Sequence, residues 1–241
     1  MRQLHTLTYV ISSIALLFCV TAKAQDETVS EIKNDSIKIE QKYGLRIGGD
    51  LSKLVRSFLD DDYKGFELNG DYRLTKNWYV AGEIGTEEKN TSNDFLNTTA
   101  TGSYFKAGFD YNMYTNWLDM ENMIYAGFRG GFSTFSQQLN SYTIYAQDQF
   151  WTPQFSSNNA VKFNGLSAIW VELIIGIKAE ILNNLFIGIN AQLKGLVSQD
   201  EPDNFENLYI PGFNKTYDSS GIGVGYGYTI SYLIPIFKKD K

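Results

Sequence analysis

The chain has 241 residues, 43% of them hydrophobic and 20% charged, with a mean hydropathy of −0.25, values that fit neither a helical membrane protein nor a disordered chain. Its formal net charge of −6 makes it a poor candidate for binding nucleic acid. An aromatic content of 15%, with 21 Gly and only 4 Pro, favours β structure, because aromatic side chains suit pleated surfaces and glycine relieves crowding between strands.

Residues 1–24 have the form of a signal peptide. Arg2 supplies the positive start, Ile11 to Val20 the short apolar run, and Ala22-Lys23-Ala24 the small residues before a cleavage point at Gln25. The apolar run is about ten residues, against the roughly 20 that a spanning helix needs. Cys19 is no lipidation site by this reading, because Phe18 stands where a small residue is wanted. Cleavage removes His5 and Cys19, the one histidine and one cysteine of the chain, together with two positive charges. A mature chain without either residue has no disulfide framework, no cysteine zinc site and no imidazole base.

Residues 25–42 are polar without a sustained period and read as a flexible periplasmic tail. From Tyr43 the period becomes 2, and residues 43–241 read as a barrel. One face carries Leu45, Ile47, Gly49 and Leu51, then Phe66 to Leu74, Trp78 to Ile84, Phe105 to Met113, Ile124 to Phe132, Ile169 to Ile181, Leu185 to Leu193, and Val224 to Ile234, each taken at every second residue. None of these positions is charged. The opposite face carries Arg46, Asp50, Glu67, Asp71, Arg73, Glu83, Lys106, Asp110, Arg129, Glu172, Lys178, Glu180 and Lys194, six bases against seven acids.

Connections alternate in length. Thr75-Lys76-Asn77 and Leu182-Asn183-Asn184 read as tight turns, with a longer one near Tyr114 to Glu121. Links at the other end, Val55 to Asp62, Glu87 to Thr101, Gln137 to Asn164 and Ser198 to Ser219, are long and polar. Short periplasmic turns and long external loops are the pattern of an outer-membrane barrel, with both termini in the periplasm.

Alternation alone fits a soluble lipocalin-like barrel equally well, with the apolar face inside. Three features favour the membrane. Glycine falls mainly on the charged face, as at Gly48, Gly85, Gly108, Gly127 and Gly131, where a narrow lumen needs room for long side chains. Acids and bases are near balance, as confined charges require. Segments of about ten to twelve residues, tilted near 40°, span an apolar band of about 25 Å, and Trp78, Tyr226, Tyr228 and Tyr232 sit where interfacial aromatics would. The expected fold is all-β: an eight-stranded antiparallel up-and-down transmembrane β-barrel.

With a signal peptide, eight alternating segments and a final run Gly223-Val224-Gly225-Tyr226-Gly227-Tyr228-Thr229-Ile230-Ser231-Tyr232 closing at Phe237, the chain resembles the small OmpA/OmpX-type barrels, and more closely the uncharacterised outer-membrane β-barrel proteins of Bacteroidota. The resemblance implies insertion by the barrel assembly machinery, with Phe237 as the terminal aromatic it reads, and outer-membrane lipid and lipopolysaccharide as surroundings. Pro235 and the trailing Lys238-Lys239-Asp240-Lys241 depart from that pattern and leave the end of the last strand open. Enzymes among barrels of this kind use a catalytic histidine, so the resemblance implies no enzyme here.

No catalytic, cofactor or metal residue is assigned. Glu67 with Asp71, and Glu172 with Glu180, have the spacing of a salt-bridged lumen. Asp60-Asp61-Asp62 and the group Asp200, Glu201, Asp203 and Glu206 offer oxygen ligands suited to Ca²⁺ or Mg²⁺, but lack the spacing of a calcium loop. The link from Gln137 to Asn164 holds Tyr142, Tyr145, Phe150, Trp151 and Phe155, an aromatic density that points to recognition of a ligand of unknown identity. The leading function is a non-enzymatic outer-membrane barrel acting structurally or in recognition through its external loops. A narrow pore and a lipocalin-like binder are the alternatives.

Overall fold

Residues that alternate apolar and polar become strands because successive side chains of an extended backbone point to opposite faces. The computed structural model describes residues 40–115, 120–144, 155–202, 205–215 and 220–240, and there this pattern builds eight long strands. They are β1 (Glu40–Asp50), β2 (Tyr63–Arg73), β3 (Trp78–Ser92), β4 (Leu96–Asn112), β5 (Met123–Thr143), β6 (Val161–Leu182), β7 (Leu185–Gln199) and β8 (Ile222–Asp240). Each pairs antiparallel with the next, and β1 pairs with β8, so the sheet closes into an up-and-down barrel.

The barrel is inside out relative to a soluble one. On β6, Glu172 is 0% exposed while its neighbour Leu173 is 57% exposed. The same contrast runs round the ring: Ile47, Leu68, Val80, Phe105, Phe132, Ile175, Ile189 and Ile230 all lie on the outer surface. The apolar face of the strands therefore points outward, and the lipocalin-like arrangement is overturned by the direction of the side chains.

The turns β2–β3 and β6–β7 are tight. Leu74 donates its N–H to the Trp78 carbonyl at 2.9 Å, and Leu182 faces Leu185 across Asn183-Asn184. Asn184 has φ 66°, a left-handed conformation that asparagine tolerates better than most residues. Trp78 at this end packs its ring 5.0 Å from Tyr111 and 5.5 Å from Phe109, and all three face outward.

At the opposite end the structure corrects several expected links. Leu51 to Leu59 is a helix, α1, so Leu51 belongs to it rather than to β1, and Val55 to Leu59 is not an irregular link. Asp50 caps α1, accepting from Ser52 N at 2.7 Å and from Ser52 Oγ at 2.6 Å. Most of Glu87 to Thr101 is strand: β3 runs on to Ser92 and β4 starts at Leu96. β5 likewise continues to Thr143, and β6 begins at Val161. These extensions are mostly polar, with scattered apolar residues, so their composition looks like loop although their backbones stay paired.

Within the link after β7, Tyr209–Ile210 pairs with Asn214–Lys215 to form a short hairpin that folds into the barrel mouth. At the other terminus the ladder starts at Glu40, ahead of Tyr43, and β8 reaches Asp240. Pro235 is accommodated by a bulge: Gly44 faces Pro235 while Tyr43 faces Phe237, leaving Ile236 as the extra residue. Phe237 stacks on Tyr43 with centroids 5.1 Å apart. The expected signal peptide and nearly all of the expected tail lie outside the described residues.

Candidate functional site

Every second residue of each strand faces a lumen too narrow for free water, so charged side chains there must find partners. They form one connected chain of ion pairs. Lys106 on β4 is its hub, 2.7 Å from Glu83, 3.5 Å from Glu67 and 3.7 Å from Glu172. Glu172 also meets Lys194 at 3.5 Å and accepts from Trp170 Nε1 at 2.7 Å. Glu83 leads on to Arg129 at 3.5 Å, Arg129 to Asp110 at 2.8 Å, Asp110 to Lys178 at 3.9 Å, Lys178 to Asp71 at 2.6 Å, and Asp71 to Arg46 at 2.9 Å. Arg46 lies between the rings of Phe186 and Tyr79, 4.6 and 5.6 Å from their centroids.

Three of the thirteen expected lumen charges, Arg73, Glu180 and Asp50, sit apart from this chain, and the first two close the tight-turn end. Arg73 pairs with Glu121 at 2.7 Å and donates to the carbonyls of Lys76, Lys42 and Thr75. Glu180 takes Lys42 at 3.4 Å and the backbone N–H groups of Asn184 and Glu121. Asp50 serves as the cap of α1.

Lys42, Lys53, Glu87 and Glu121 were not among the expected residues. Lys42 and Glu87 continue the inward parity of β1 and β3, and Glu121 keeps that of β5 two residues before the strand begins, which is the signal that identifies them. Lys53 reaches the lumen from α1, pairing with Glu87 and, at 3.3 Å, with Glu67. Aromatic layers in the lumen were also missed. Tyr79, Met123, Tyr125 and Ile174 pack toward the tight-turn end, and Tyr104, Phe135, Leu166, Ala168, Trp170, Ile210 and Phe213 toward the mouth.

The mouth is built from the capping hairpin. Phe213 packs edge-on against Trp170 at 6.1 Å, and Gly212, at φ 82°, leaves no room for a side chain: its Cβ would stand 2.5 Å from Tyr104 Cγ. Gly212 O accepts from Lys194 Nζ at 2.6 Å, while Glu87 accepts from Gly212 N at 2.9 Å and from the Tyr209 hydroxyl at 2.8 Å. Buried Gln137 holds the hairpin's approach, donating to Glu206 O and accepting from Leu208 N. Beside the hairpin, α1 and the strand ends leave a cavity of about 640 Å³ lined by Lys53, Arg56, Glu67, Lys106, Lys194, Gln192 and Tyr209 among others. Deeper cavities in the lumen are about 30 and 10 Å³, at most room for isolated water.

The remaining candidates fall in the links. Tyr142 and Phe155 pack on one another with centroids 6.2 Å apart, while Tyr145, Phe150 and Trp151 lie outside the described residues. Asp60 is engaged by Lys89 at 3.1 Å and Arg56 at 3.4 Å. With Asp62 N–H and these two cations, led by the Lys89 hydrogen bond, its carboxyl is held below the usual aspartate range, against the opposing effect of burial. Asp200 accepts from Ser167 Oγ at 2.6 Å, and Asp203 lies outside the described residues.

An eight-stranded antiparallel barrel with an ion-paired interior, an apolar exterior and a capped mouth is the class these observations define. The chain belongs to the family described as Domain of unknown function (DUF6048), whose model matches residues 6–239. Among solved structures it is similar to Ail, the attachment invasion locus protein of Yersinia pestis, at 10% identity and a TM-score of 0.40, over 82% of this chain and 99% of that one. No curated protein matches.

Proposed function

We propose that the protein is a non-enzymatic integral outer-membrane barrel of a Gram-negative envelope, closed to ions and acting at its external mouth in recognition. The observation that carries this reading is the sidedness of the wall: outward Leu173 at 57% exposure beside inward Glu172 at 0%, repeated on every strand. Such an exterior is stable against hydrocarbon, and a barrel is one of the two structures that can satisfy backbone hydrogen bonds there. Strand number and order support a likeness to small eight-stranded outer-membrane barrels.

A recognition role is favoured over a pore because the charged chain from Lys53 to Arg46 occupies the lumen, and below the mouth the cavities beside it, at about 30 and 10 Å³, are too small for a continuous water path. It is favoured over catalysis because the lumen carboxylates are engaged by cations, apart from Asp50, which is held by Ser52 as the cap of α1. The mouth cavity beside α1, together with the Tyr142 and Phe155 tip, is where a ligand or partner would be met. Envelope fractionation after expression in a Gram-negative host, followed by planar-bilayer recording of the purified protein, tests this. Recovery in the outer membrane with no conductance steps is expected. Recovery in the periplasm would overturn the membrane reading, and regular ohmic steps would replace the closed barrel with a pore.

A further inference from the structure

Helix α1 is amphipathic in the inverted sense. Its polar side is held against the barrel: Ser57 Oγ accepts from Gly65 N at 2.7 Å, Lys53 reaches Glu67 and Glu87, and the Arg56 guanidinium lies 3.9 Å from the Tyr63 ring centroid. Its apolar side points away, with Phe58 86% and Leu59 81% exposed, joined by Val55 and Leu51. A helix packed on a water-soluble core turns the other way, apolar stripe inward.

Strand register explains where the helix sits. β1 ends at Asp50, opposite Thr229, and its ladder with β2 ends at Gly49 and Leu68. β8 and β2 continue past those points to Ile222 and Tyr63, so beyond Asp50 the wall has lost one strand. α1 takes that place. Ser57 supplies partners to the exposed edge of β2 at Gly65, and between α1 and Tyr226 and Tyr228 on the outer face of β8 lies an apolar groove of about 330 Å³.

From this we infer that α1 is a stave of the membrane wall, its apolar face and the groove beside β8 covered by an acyl chain of the outer leaflet. The inference rests on the membrane reading above. Three observations select a lipid chain as occupant. The groove is continuous with the outward apolar surface through Tyr226, Tyr228 and Ile230. The polar groups of the helix, Ser52 and Arg56 at the groove's edge included, have protein partners, so what the outward side offers is the apolar surface of Leu51, Val55, Phe58 and Leu59. The chain turns acidic immediately after the helix, at Asp60-Asp61-Asp62, as it would on leaving hydrocarbon for the headgroup level.

The test uses the full chain carrying Cys19→Ser, with single cysteines introduced as Phe58→Cys, Asp61→Cys and Ile175→Cys, each nitroxide-labelled and reconstituted into phosphatidylcholine/phosphatidylglycerol vesicles. Retained heat-dependent gel mobility identifies folded samples. Collision with oxygen against a nickel chelate reads the depth of each label. The expected result is a label at 58 with an oxygen-to-chelate ratio severalfold above that at 61 and on the same side as that at 175. A ratio at 58 equal to that at 61, with 175 still lipid-like, places the helix in water and overturns the inference alone. Dipolar broadening at 58 overturns it in favour of a second copy as occupant. A water-like label at 175 overturns the membrane reading itself.

Discussion

Trp170 on β6 lies over Gly131 of β5 so closely that a Cβ on Gly131 would stand 2.2 Å from its Cε2. The two residues face each other in the ladder, and the indole, 0% exposed, is locked by its bond to Glu172 and by Phe213 above it. Gly131→Ala is therefore expected to cost about 1–3 kcal/mol through overpacking. Gly130 next to it points outward, where a Cβ meets only Ala107 O at 4.0 Å, so Gly130→Ala should be neutral. Urea unfolding of both variants in detergent micelles or vesicles checks the pair, and equal effects would contradict the assignment of the two faces.

Lys106 compensates three carboxylates in the lumen. Lys106→Met leaves Glu67, Glu83 and Glu172 short of positive charge and should destabilise by about 3–5 kcal/mol. Lys64 pairs with Glu88 with its side chain 76% exposed, and Lys64→Met should cost about 0–1 kcal/mol. Comparing the two by equilibrium unfolding distinguishes a buried network from surface decoration.

Leu173→Arg would put a cation on the outer face of β6. At the bilayer midplane it should cost about 2–4 kcal/mol, whereas Leu173→Phe should be tolerated. Folding into phospholipid vesicles measures both, and a neutral Leu173→Arg would contradict the membrane-facing assignment.

Phe213→Ala removes the contact with Trp170 that seats the capping hairpin. The link around residues 205–215 should become several times more sensitive to added protease, while the barrel keeps its heat-dependent gel mobility. Gel analysis of limited digests reads this directly.

Asp60 carries the pH dependence of the helix end. Its folded carboxyl is depressed, so its contribution is complete above the ordinary aspartate value of about 3.9 and is lost as pH falls through the lower folded value. The melting difference between wild type and Asp60→Asn should be level from neutral pH down to about pH 4 and vanish below it.

The alternation that makes the barrel was legible because it is a covalent property of extended chain: Glu172 and Leu173 must face opposite ways wherever β6 lies. The same rule, continued past the expected strand ends, reaches Lys42, Glu87 and Glu121, which polarity had assigned to tail and links. α1 left a readable trace in Leu51, Leu54, Val55, Phe58 and Leu59 at helical spacing behind Asp50. Its first residue nevertheless also fits the strand frame, and the choice depends on β1 stopping short of β8. The capping hairpin was legible only as an apolar island, Tyr209-Ile210-Pro211-Gly212-Phe213, in a polar link. That it closes the mouth depends on Trp170, Glu87 and Lys194, which no local pattern connects to it. The ion-pair partners were likewise invisible, since Lys178 and Asp71 are 107 residues apart and meet only when the ring closes.

Gel mobility of boiled against unboiled detergent samples of the envelope fraction reads whether the barrel closes in a membrane. An outer-membrane protein that shifts mobility only on boiling is the predicted result. A protein found in the soluble periplasm, with one mobility in both samples, would contradict it.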